Sequence, residues 1–377
     1  MTRPNAPVRV LIVDDSAAAR AAFRRLLEDD PGIVVHGVAG DPFEAAKLMR
    51  AQLPDVMLLD LQLPRMDGLT FLRKVMAQHP LPVVICSSFT EKGSRKAMEA
   101  LQCGASEVIG KPSLVTAEQR SEAQIQLCDA VHAAASSRLG RKGVAKAQQE
   151  PLRPGPKLTA DVILPPRPAS PDVGPPKGHI IALGASTGGT EALAAVLEKL
   201  PADMPPIIVV QHMPEHFTRS FAERLDTLCD LDVSEARAGD RPERGRVLIA
   251  PGNRHMLLRR NGGGYRLDLL EGAYVSRHRP SVDVLFRSVA QAAGNKALGL
   301  IMTGMGDDGA QGLLEMRQAG AETFGQDEAT SVVFGMPKEA MAKGAVDRML
   351  PLGRISSTLV NWANLRRSGP LAGPKSR

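Results

Sequence analysis

The sequence predicts an α/β protein with two domains, each built around a doubly wound parallel sheet. Short apolar runs alternate with amphipathic helical stretches from Val8 onwards, a proline-rich stretch interrupts them, and a second alternation begins near His179. Consecutive parallel strands need a crossover between them, so repeated strand–helix units favour a parallel sheet. The chain has 377 residues, of which 43% are hydrophobic, and this is enough apolar material for two packed cores.

The first predicted domain covers residues 1–138 and contains short apolar runs of strand length. These runs do not alternate with polar residues, which indicates strands buried on both faces. The predicted strands are Val8–Val13, Ile33–Val38, Val56–Leu59, Val83–Cys86 and Glu107–Ile109. The predicted helices lie near Ala17–Leu27, Pro42–Met49, Gly68–Ala77 and Ser94–Cys103, and a last helix covers residues 116–138.

Chemically active side chains gather where these strands end, namely Asp14, Asp15, Asp60, Ser87 and Lys111. A single acid after a strand is usually a solvated loop residue or a helix cap. Taken together, the set is more specific, because the carboxyl ends of parallel strands meet at one edge of the sheet. The carboxylates can hold Mg²⁺, Asp60 can attack a phosphoryl group, and the serine and lysine can bind phosphoryl oxygens. The set predicts a phosphorylatable aspartate.

Residues 139–176 are predicted to be a basic, proline-rich linker between the domains. Residues 151–176 contain nine prolines and no periodic apolar face, which is typical of an extended, semi-rigid spacer. The second domain is predicted over residues 177–366. Residues 367–377 are predicted to be a disordered tail.

In the second domain, the stretch from Gly184 to Gly189 lies between an apolar run, His179–Leu183, and a helical pattern, Thr190–Leu200. It fits the G-x-S-x-G pattern, in which glycines permit a sharp strand-to-helix turn that exposes the hydroxyl of Ser186. Backbone N–H groups at the start of the helix could stabilise an oxyanion. Two alternatives remain open at this point: the turn could bind a phosphate, or Ser186 could only cap the helix.

Two further predicted strands end in residues that complete a catalytic set. His212 follows Pro206–Val210, and Asp307 and Asp308 follow Ala297–Met302. If these strands are parallel to the first, a serine, a histidine and an acid emerge at one sheet edge and form a nucleophile, base and orienting acid. The order Ser, His, Asp differs from the Ser, acid, His order of α/β-hydrolases, so we reject that family.

Alternatives also exist for the two partners of the serine. A histidine in this setting is often buried and donates to a backbone carbonyl, so His212 alone would not indicate catalysis. Asp307 is a rival to Asp308 as the orienting acid, and the residue pattern alone does not separate the two.

Composition limits the function classes. The net charge of +6 could suggest nucleic acid, but only 3% of residues are aromatic and no basic stripe is interleaved with stacking side chains. No recognition-helix signal supports a DNA-binding regulator, and a nucleotide-binding output domain lacks a full G-x-G-x-x-G motif or P-loop lysine. The four cysteines have no C-x-x-C spacing, and no apolar run reaches membrane-helix length. We therefore expect a cytoplasmic protein without membrane insertion or nucleic-acid binding.

The first domain resembles the receiver domain of two-component response regulators. The resemblance rests on four motifs, Val13-Asp14-Asp15-Ser16, Leu59-Asp60-Leu61-Gln62-Leu63-Pro64-Arg65-Met66-Asp67-Gly68, Val83-Val84-Ile85-Cys86-Ser87-Ser88 and Gly110-Lys111-Pro112. It implies a flavodoxin-like fold and phosphoryl transfer to Asp60 from a histidine kinase. It also implies Mg²⁺ held by Asp15, Asp60 and the Gln62 carbonyl with support from Asp14. The position three before Lys111, often aromatic in receivers, is Val108.

The second domain resembles the Rossmann-like catalytic domain of bacterial chemotaxis protein-glutamate methylesterases. The motifs are Gly184-Ala185-Ser186-Thr187-Gly188-Gly189-Thr190-Glu191-Ala192, Gln211-His212-Met213-Pro214, Ala250-Pro251-Gly252-Asn253-Arg254-His255-Met256, Arg279-Pro280-Ser281-Val282-Asp283-Val284-Leu285-Phe286 and Thr303-Gly304-Met305-Gly306-Asp307-Asp308-Gly309-Ala310. The resemblance implies Ser186 as nucleophile, His212 as base and acid, and Asp308 as orienting acid. Thr187 and Met305 are implied as backbone donors of an oxyanion hole.

The two resemblances together imply a phosphorylation-activated serine hydrolase. Its expected substrates are γ-methyl esters of glutamate on methyl-accepting chemoreceptors, and glutaminase activity is implied in the same way. Mg²⁺ is expected in the receiver domain, and no cofactor is expected in the catalytic domain. Arg254, His255 and residues 277–286 could line a substrate groove, but Asp283, Val284 and Phe286 fit the start of a helix better.

Overall fold

A computed structural model of the chain describes residues 6–87, 91–111, 117–136, 157–166 and 178–367. The chain divides into two compact units, with the main boundary after Lys157. Each unit contains its own parallel sheet flanked by helices. The predicted fold class is therefore confirmed. Among the described helices, none combines the length and apolar character needed to cross a membrane.

The described residues of the first unit form a five-stranded parallel sheet in the order β2-β1-β3-β4-β5. The strands are β1 (Val8–Val13), β2 (Ile33–Ala39), β3 (Val56–Asp60), β4 (Val83–Ser87) and β5 (Glu107–Gly110). The helices are α1 (Ala17–Glu28), α2 (Pro42–Ala51), α3 (Gly68–Gln78), α4 (Glu91–Gln102) and α5 (Ala117–Ser136). The central strands are buried along nearly their whole length, which explains their unbroken apolar sequences.

The second sheet has seven parallel strands among the described residues, in the order β14-β13-β12-β6-β7-β9-β8. They are β6 (Ile180–Ala185), β7 (Ile207–Gln211), β8 (Asp232–Glu235), β9 (Arg246–Ile249), β12 (Ala297–Ile301), β13 (Glu322–Gln326) and β14 (Arg348–Leu350). The helices between and after them are α6 (Gly189–Leu197), α7 (Phe217–Leu228), α8 (Val282–Ala293), α9 (Ala310–Gln318), α10 (Met336–Ala342) and α11 (Leu352–Arg367). Strand β6 lies between β12 and β7, so the three strands that precede Ser186, His212 and Asp308 are immediate neighbours.

An antiparallel hairpin outside the main sheet was not anticipated from the sequence. Its strands are β10 (His255–Asn261) and β11 (Gly264–Leu270). Gly262 in the connecting turn has a φ of 58°, a conformation that glycine adopts without steric cost. Four buried side chains of the hairpin, Met256, Leu258, Tyr265 and Leu267, join the core that α8 forms with the sheet. The residues predicted to open and pack a helix, from Asp283 to Phe286, lie in α8 as expected.

The predicted linker contains an ordered segment that packs on the second unit. Residues 160–162 form a short 3₁₀ helix, and Ala160 and Leu164 are only 4% and 5% exposed. They share an apolar cluster with Leu257, Val275 and Val284. This part of the predicted linker is packed and not extended, because a few non-periodic apolar residues are enough to dock a short segment. The remainder of the predicted linker lies outside the described residues.

The last helix extends to Arg367, one residue beyond the predicted domain end, and residues 368–377 of the predicted tail lie outside the described residues. Trp362 in this helix is 3% exposed and belongs to the core.

Candidate active site

Ser186 lies directly after β6, at the turn into α6. Gly188 is the N-cap of that helix, with a φ of 76°, and a Cβ there would lie 2.5 Å from the Cβ of Val332. The turn therefore requires glycine on both conformational and steric grounds. Because the cap is Gly188, the alternative that Ser186 only caps the helix is wrong. Ser186 is 7% exposed, and its backbone N–H donates to the Thr303 carbonyl at 3.0 Å.

His212 directly follows β7, the neighbouring parallel strand. Its backbone N–H donates to the Ala185 carbonyl at 3.0 Å. The amide of Gln211 donates to the carbonyls of both Ser186 and His212, at 2.9 and 3.1 Å. The two strand ends are thus fixed to each other by main-chain and side-chain hydrogen bonds. The sequence does not indicate this role of Gln211, since only the pairing of β6 with β7 brings its amide to both carbonyls.

Asp308 emerges after β12, on the other side of β6, and is 1% exposed. Its Oδ2 lies 2.8 Å from His212 Nε2 and accepts the Val282 N–H at 2.7 Å. Its Oδ1 accepts the Ser281 hydroxyl at 2.7 Å and the Asp283 N–H at 3.0 Å. Burial alone would raise the pKa of this carboxyl, but the hydrogen bond and charge of His212, together with the other donors, lower its pKa to about 2.

The contact with Asp308 fixes the tautomer of His212. An ionised carboxylate only accepts hydrogen bonds, so Nε2 of His212 carries the proton that is shared with it. Nδ1 then holds the free electron pair, and it is buried without a hydrogen-bond partner among the described residues. No hydrogen bond joins Ser186 to His212 in the described structure, and such contacts are often loose without substrate. The nitrogen that can accept the serine proton is therefore Nδ1.

His278 stacks on His212, a contact that the sequence does not predict. The two ring centroids are 3.7 Å apart, and the ring planes differ by 7°. His278 Nδ1 lies 2.8 Å from the Ser276 carbonyl, so this nitrogen carries a proton. His212, His278 and Asp308 are close enough to suggest a metal site. However, a metal ion lies in the plane of the imidazole that binds it, and parallel stacked rings do not converge on one ion.

The other residues considered near this site have different surroundings. His255 is fully buried, with Nε2 2.9 Å from the Ala273 carbonyl and Nδ1 accepting the Ser281 N–H, and burial lowers its pKa. It is a structural histidine. Arg254 is exposed and pairs with Glu271 at 3.0 Å.

The two predicted oxyanion donors flank Ser186. Thr187 follows it in the turn, and its carbonyl accepts the Thr303 hydroxyl at 2.9 Å. Met305 is half-buried in the loop after β12, and within the described ranges its N–H has no acceptor. The loop approaches Ser186 closely, because a Cβ at Gly304 would lie 2.7 Å from the Ser186 Cβ.

In the first unit, the predicted acidic cluster comes together at the carboxyl edge of the sheet. Lys111 Nζ lies 2.7 Å from Asp60 Oδ2 and 2.8 Å from Asp14 Oδ2. Asp14 and Asp60 are buried, whereas Asp15 is exposed, and carboxylate oxygens from all three lie within 4.8 Å of one another. Ser87 ends β4 and is 2% exposed. This set of hard oxygen ligands fits Mg²⁺.

Burial dominates the electrostatics of Asp60. It raises the pKa of this carboxyl, and hydrogen bonds from Lys111 and the Gln62 N–H offset the shift only in part. The Gln62 N–H donates to Asp60 Oδ1 at 3.1 Å, and the side chain of Gln62 is exposed. Val108, at the position that is often aromatic in receivers, is 7% exposed and belongs to β5.

Comparison with known proteins identifies a different domain family in each of the two units. Residues 10–119 match the response regulator receiver domain, and residues 181–359 match the CheB methylesterase family. A protein-glutamate methylesterase/protein-glutamine glutaminase of Rhodospirillum rubrum is 56% identical over 95% of this chain and 99% of its own length. The chain belongs to the protein-glutamate methylesterase/protein-glutamine glutaminase family. The resemblance predicted from the sequence is thereby confirmed.

Other members show the same extent of similarity. A relative in Anaeromyxobacter dehalogenans is 56% identical over 94% of this chain and 96% of its own length. A relative in Cereibacter sphaeroides, from its group 3 operon, is 55% identical over 94% of this chain and 95% of its own length. The solved catalytic domain of Thermotoga maritima CheB methylesterase is 38% identical over 49% of this chain and 99% of that chain, with a TM-score of 0.49.

Proposed function

We propose that the chain hydrolyses γ-methyl esters of glutamate on methyl-accepting chemoreceptors, with Ser186, His212 and Asp308 as its catalytic triad. The observation that carries this proposal is the orientation of His212. Asp308 holds Nε2 at 2.8 Å, and Nδ1 remains without a partner in the described structure, next to the strand end that bears Ser186. A serine hydroxyl needs such a base near neutral pH.

In the proposed reaction, Ser186 Oγ attacks the ester carbonyl carbon while its proton moves to His212 Nδ1. Negative charge on the carbonyl oxygen is stabilised by the N–H groups of Thr187 and Met305. The imidazolium is stabilised by ionised Asp308 and returns the proton to the departing methoxide, which releases methanol. Water then attacks the acyl-enzyme with the same base, regenerates Ser186 and leaves a glutamate carboxylate. With a glutamine substrate the same steps release ammonia.

Labelling by a fluorophosphonate probe tests the nucleophile. We expect covalent labelling of the full chain and its loss in Ser186→Ala. Ser357→Ala is the matched control, because Ser357 is an exposed serine of the same domain. Methanol release from methylated receptors should likewise be lost in Ser186→Ala and kept in Ser357→Ala. Labelling that persists in Ser186→Ala would contradict the triad.

Asp60 is proposed as the site of regulation. A histidine kinase donates a phosphoryl group to the Asp60 carboxylate, and Ser87 and Lys111 bind the oxygens of that group. Asp15, Asp60 and the Gln62 carbonyl, supported by Asp14, would hold Mg²⁺, which neutralises charge between the carboxylate and the incoming phosphoryl group. Phosphorylation then raises hydrolase activity by biasing a conformational equilibrium.

A phosphodonor experiment tests this regulation. We expect acetyl phosphate with Mg²⁺ to raise the methanol-release rate of the full chain but not of Asp60→Asn. Equal rates with and without the phosphodonor would refute activation by phosphorylation.

We also propose a cytoplasmic location, supported by four free cysteines, of which Cys86 and Cys128 are buried.

A further inference from the structure

The docked segment, residues 158–165, contacts the loop that carries His278. The Leu158 carbonyl accepts the Ser276 N–H at 2.9 Å. Ala160 and Leu164 pack against Val275, which is fully buried. The docked segment therefore holds this loop through one main-chain hydrogen bond and one apolar cluster.

The segment also contacts α8. Arg287, whose side chain is 5% exposed, donates through Nη1 to Asp161 Oδ1 at 2.5 Å and to the Leu164 carbonyl at 3.0 Å. The Gln291 amide donates to the Pro165 carbonyl at 3.0 Å. The docked segment thus binds two elements that are adjacent in sequence, residues 273–281 and α8.

Both elements position the proposed triad. On the loop, the Ser276 carbonyl orients His278, and His278 stacks on His212. At the start of α8, the N–H groups of Val282 and Asp283 donate to Asp308. The Ser276 hydroxyl donates to the Asp283 carboxylate at 3.1 Å, which joins the loop to the helix. The contacts at Val275, Ser276 and Arg287 therefore lie within four residues of a group that holds His212 or Asp308.

The surfaces are fitted to each other at Gly272. A Cβ at this position would lie 2.4 Å from Ile163 Cδ1 and 3.9 Å from Ile163 Cγ1. The absence of a side chain at residue 272 thus leaves space for the terminal methyl group of Ile163. Such a close fit indicates a formed interface rather than a segment lying loosely on the surface.

We propose that residues 158–165 are a positioning element of the active site, which hold the loop and helix that orient His212 and Asp308. This inference rests on the proposed function of the triad. None of the described hydrogen bonds or apolar contacts of the docked segment is made to Ser186, His212 or Asp308. It acts through Ser276, His278 and the first turn of α8, so its loss should lower kcat and leave KM nearly unchanged.

The first experiment compares two aspartate substitutions in the full chain. Leu164→Asp places a carboxylate in the apolar cluster, whereas Val162→Asp places one at a 52%-exposed position of the same 3₁₀ helix. We expect Leu164→Asp to lower kcat on the order of tenfold, with KM changed by less than about twofold, because small displacements of catalytic groups have large effects. Val162→Asp should match the wild type. kcat is expressed per fluorophosphonate-titrated site, so unfolded protein does not contribute.

The second experiment tests the fit at Gly272 without adding charge. Gly272→Ala introduces the Cβ that meets Ile163 Cδ1, and Ile163→Val removes that atom and no other carbon. We expect a several-fold loss of kcat in Gly272→Ala and recovery in the double variant Gly272→Ala/Ile163→Val. Because kcat is expressed per titrated site, unfolded protein does not lower it, and recovery of kcat in the double variant assigns the loss to the contact between residues 163 and 272.

The outcomes separate this inference from the proposed function. If the wild type is active and Leu164→Asp equals Val162→Asp in kcat, the positioning role is overturned and the triad stands. If Leu164→Asp folds poorly, rescue in the Gly272 series still supports the role, and its failure overturns it. A wild-type chain with no probe labelling and no ester hydrolysis would overturn both proposals.

Discussion

Asp60 and Asp308 are both buried carboxylates at the carboxyl edge of a parallel sheet, yet their pKa values move in opposite directions. Burial is the largest cause at each residue, and it raises the pKa of each. At Asp308 this is overcome by His212, the Ser281 hydroxyl and two backbone N–H groups. At Asp60 the Lys111 ammonium and one N–H are not enough. Burial alone therefore does not set the direction of a carboxyl pKa shift, because the donors and charges around the group outweigh burial at Asp308 but not at Asp60.

The difference suits the proposed roles. Asp60 must remain able to attack a phosphoryl group, so its oxygens are only partly engaged by donors. Asp308 must stay ionised while a cation forms beside it, so all its strong acceptor positions are directed at fixed donors. Four substitutions or conditions test this comparison.

The largest expected effect is the loss of phosphoryl acceptance in Asp60→Asn. An amide is not a nucleophile toward phosphorus, so no adduct should form with acetyl phosphate and Mg²⁺. Intact-mass spectrometry measures the adduct. Asp67→Asn is the control, since Asp67 is an exposed acid in the loop that follows Asp60 and pairs with Lys96 at 2.8 Å. An adduct on Asp60→Asn would place the acceptor elsewhere.

Asp308→Asn should lower kcat by about 10⁴-fold, because the neutral amide neither holds the required His212 tautomer nor stabilises the imidazolium. Methanol release gives kcat directly. Asp307→Asn should stay within a few-fold of the wild type, since Asp308, not Asp307, is the acid hydrogen-bonded to His212. A larger loss in Asp307→Asn than in Asp308→Asn would reverse the assignment.

The stability of the second unit should depend on acid through Asp308. Its pKa is lowered from 3.8 to about 2, so the stabilising contribution is complete above about pH 4 and is lost as the pH falls towards 2. The difference between these two pKa values corresponds to about 2 kcal/mol in the free energy of unfolding. Urea unfolding followed by the fluorescence of Trp362, the only tryptophan, reports on this unit. The difference in free energy of unfolding between wild type and Asp308→Asn should shrink as the pH falls from about 4 to about 2. A constant difference would contradict the lowered pKa of Asp308.

The smallest expected effect is the pH dependence of stability that comes from Asp60, and its sign is opposite to that of Asp308. The raised pKa of Asp60 means that its ionised form is disfavoured in the folded state, so stability falls as the pH rises through the interval between the unfolded and folded pKa values. At neutral pH, Asp60→Asn should therefore make the first unit slightly more stable. Differential scanning calorimetry of the full chain measures this change. Destabilisation instead would show that the Lys111 ion pair outweighs burial.

The sheets and the strand-end residues were predictable from the sequence, for a physical reason. Buried parallel strands need unbroken apolar runs, and functional groups follow where those runs stop. This placed Ser186, His212 and Asp60 correctly at their sheet edges. The choice between Asp307 and Asp308 could not be made from the residue pattern alone, because both follow the same strand and only the loop conformation directs one of them towards His212.

Groups that act through tertiary contacts left no such signal. His278 lies in a loop without periodicity, and its stacking on His212 depends on the path of residues 273–281. Gln211 ends an apolar strand, and its bridging amide is apparent only once β6 and β7 are paired. The docked segment was hidden because Ala160, Ile163 and Leu164 lie among prolines, where no apolar period marks a packed element.

The fit between Ile163 and Gly272 also bears on how this chain can be divided and recombined. A fragment that begins at residue 177, where the second alternation of strands and helices starts, would expose Val275 and leave Arg287 without the Asp161 carboxylate. The unit suited to transplantation onto another regulatory domain, or to crystallisation by itself, runs from residue 158 to residue 367. In this family member, the modular boundary lies inside the proline-rich sequence rather than after it.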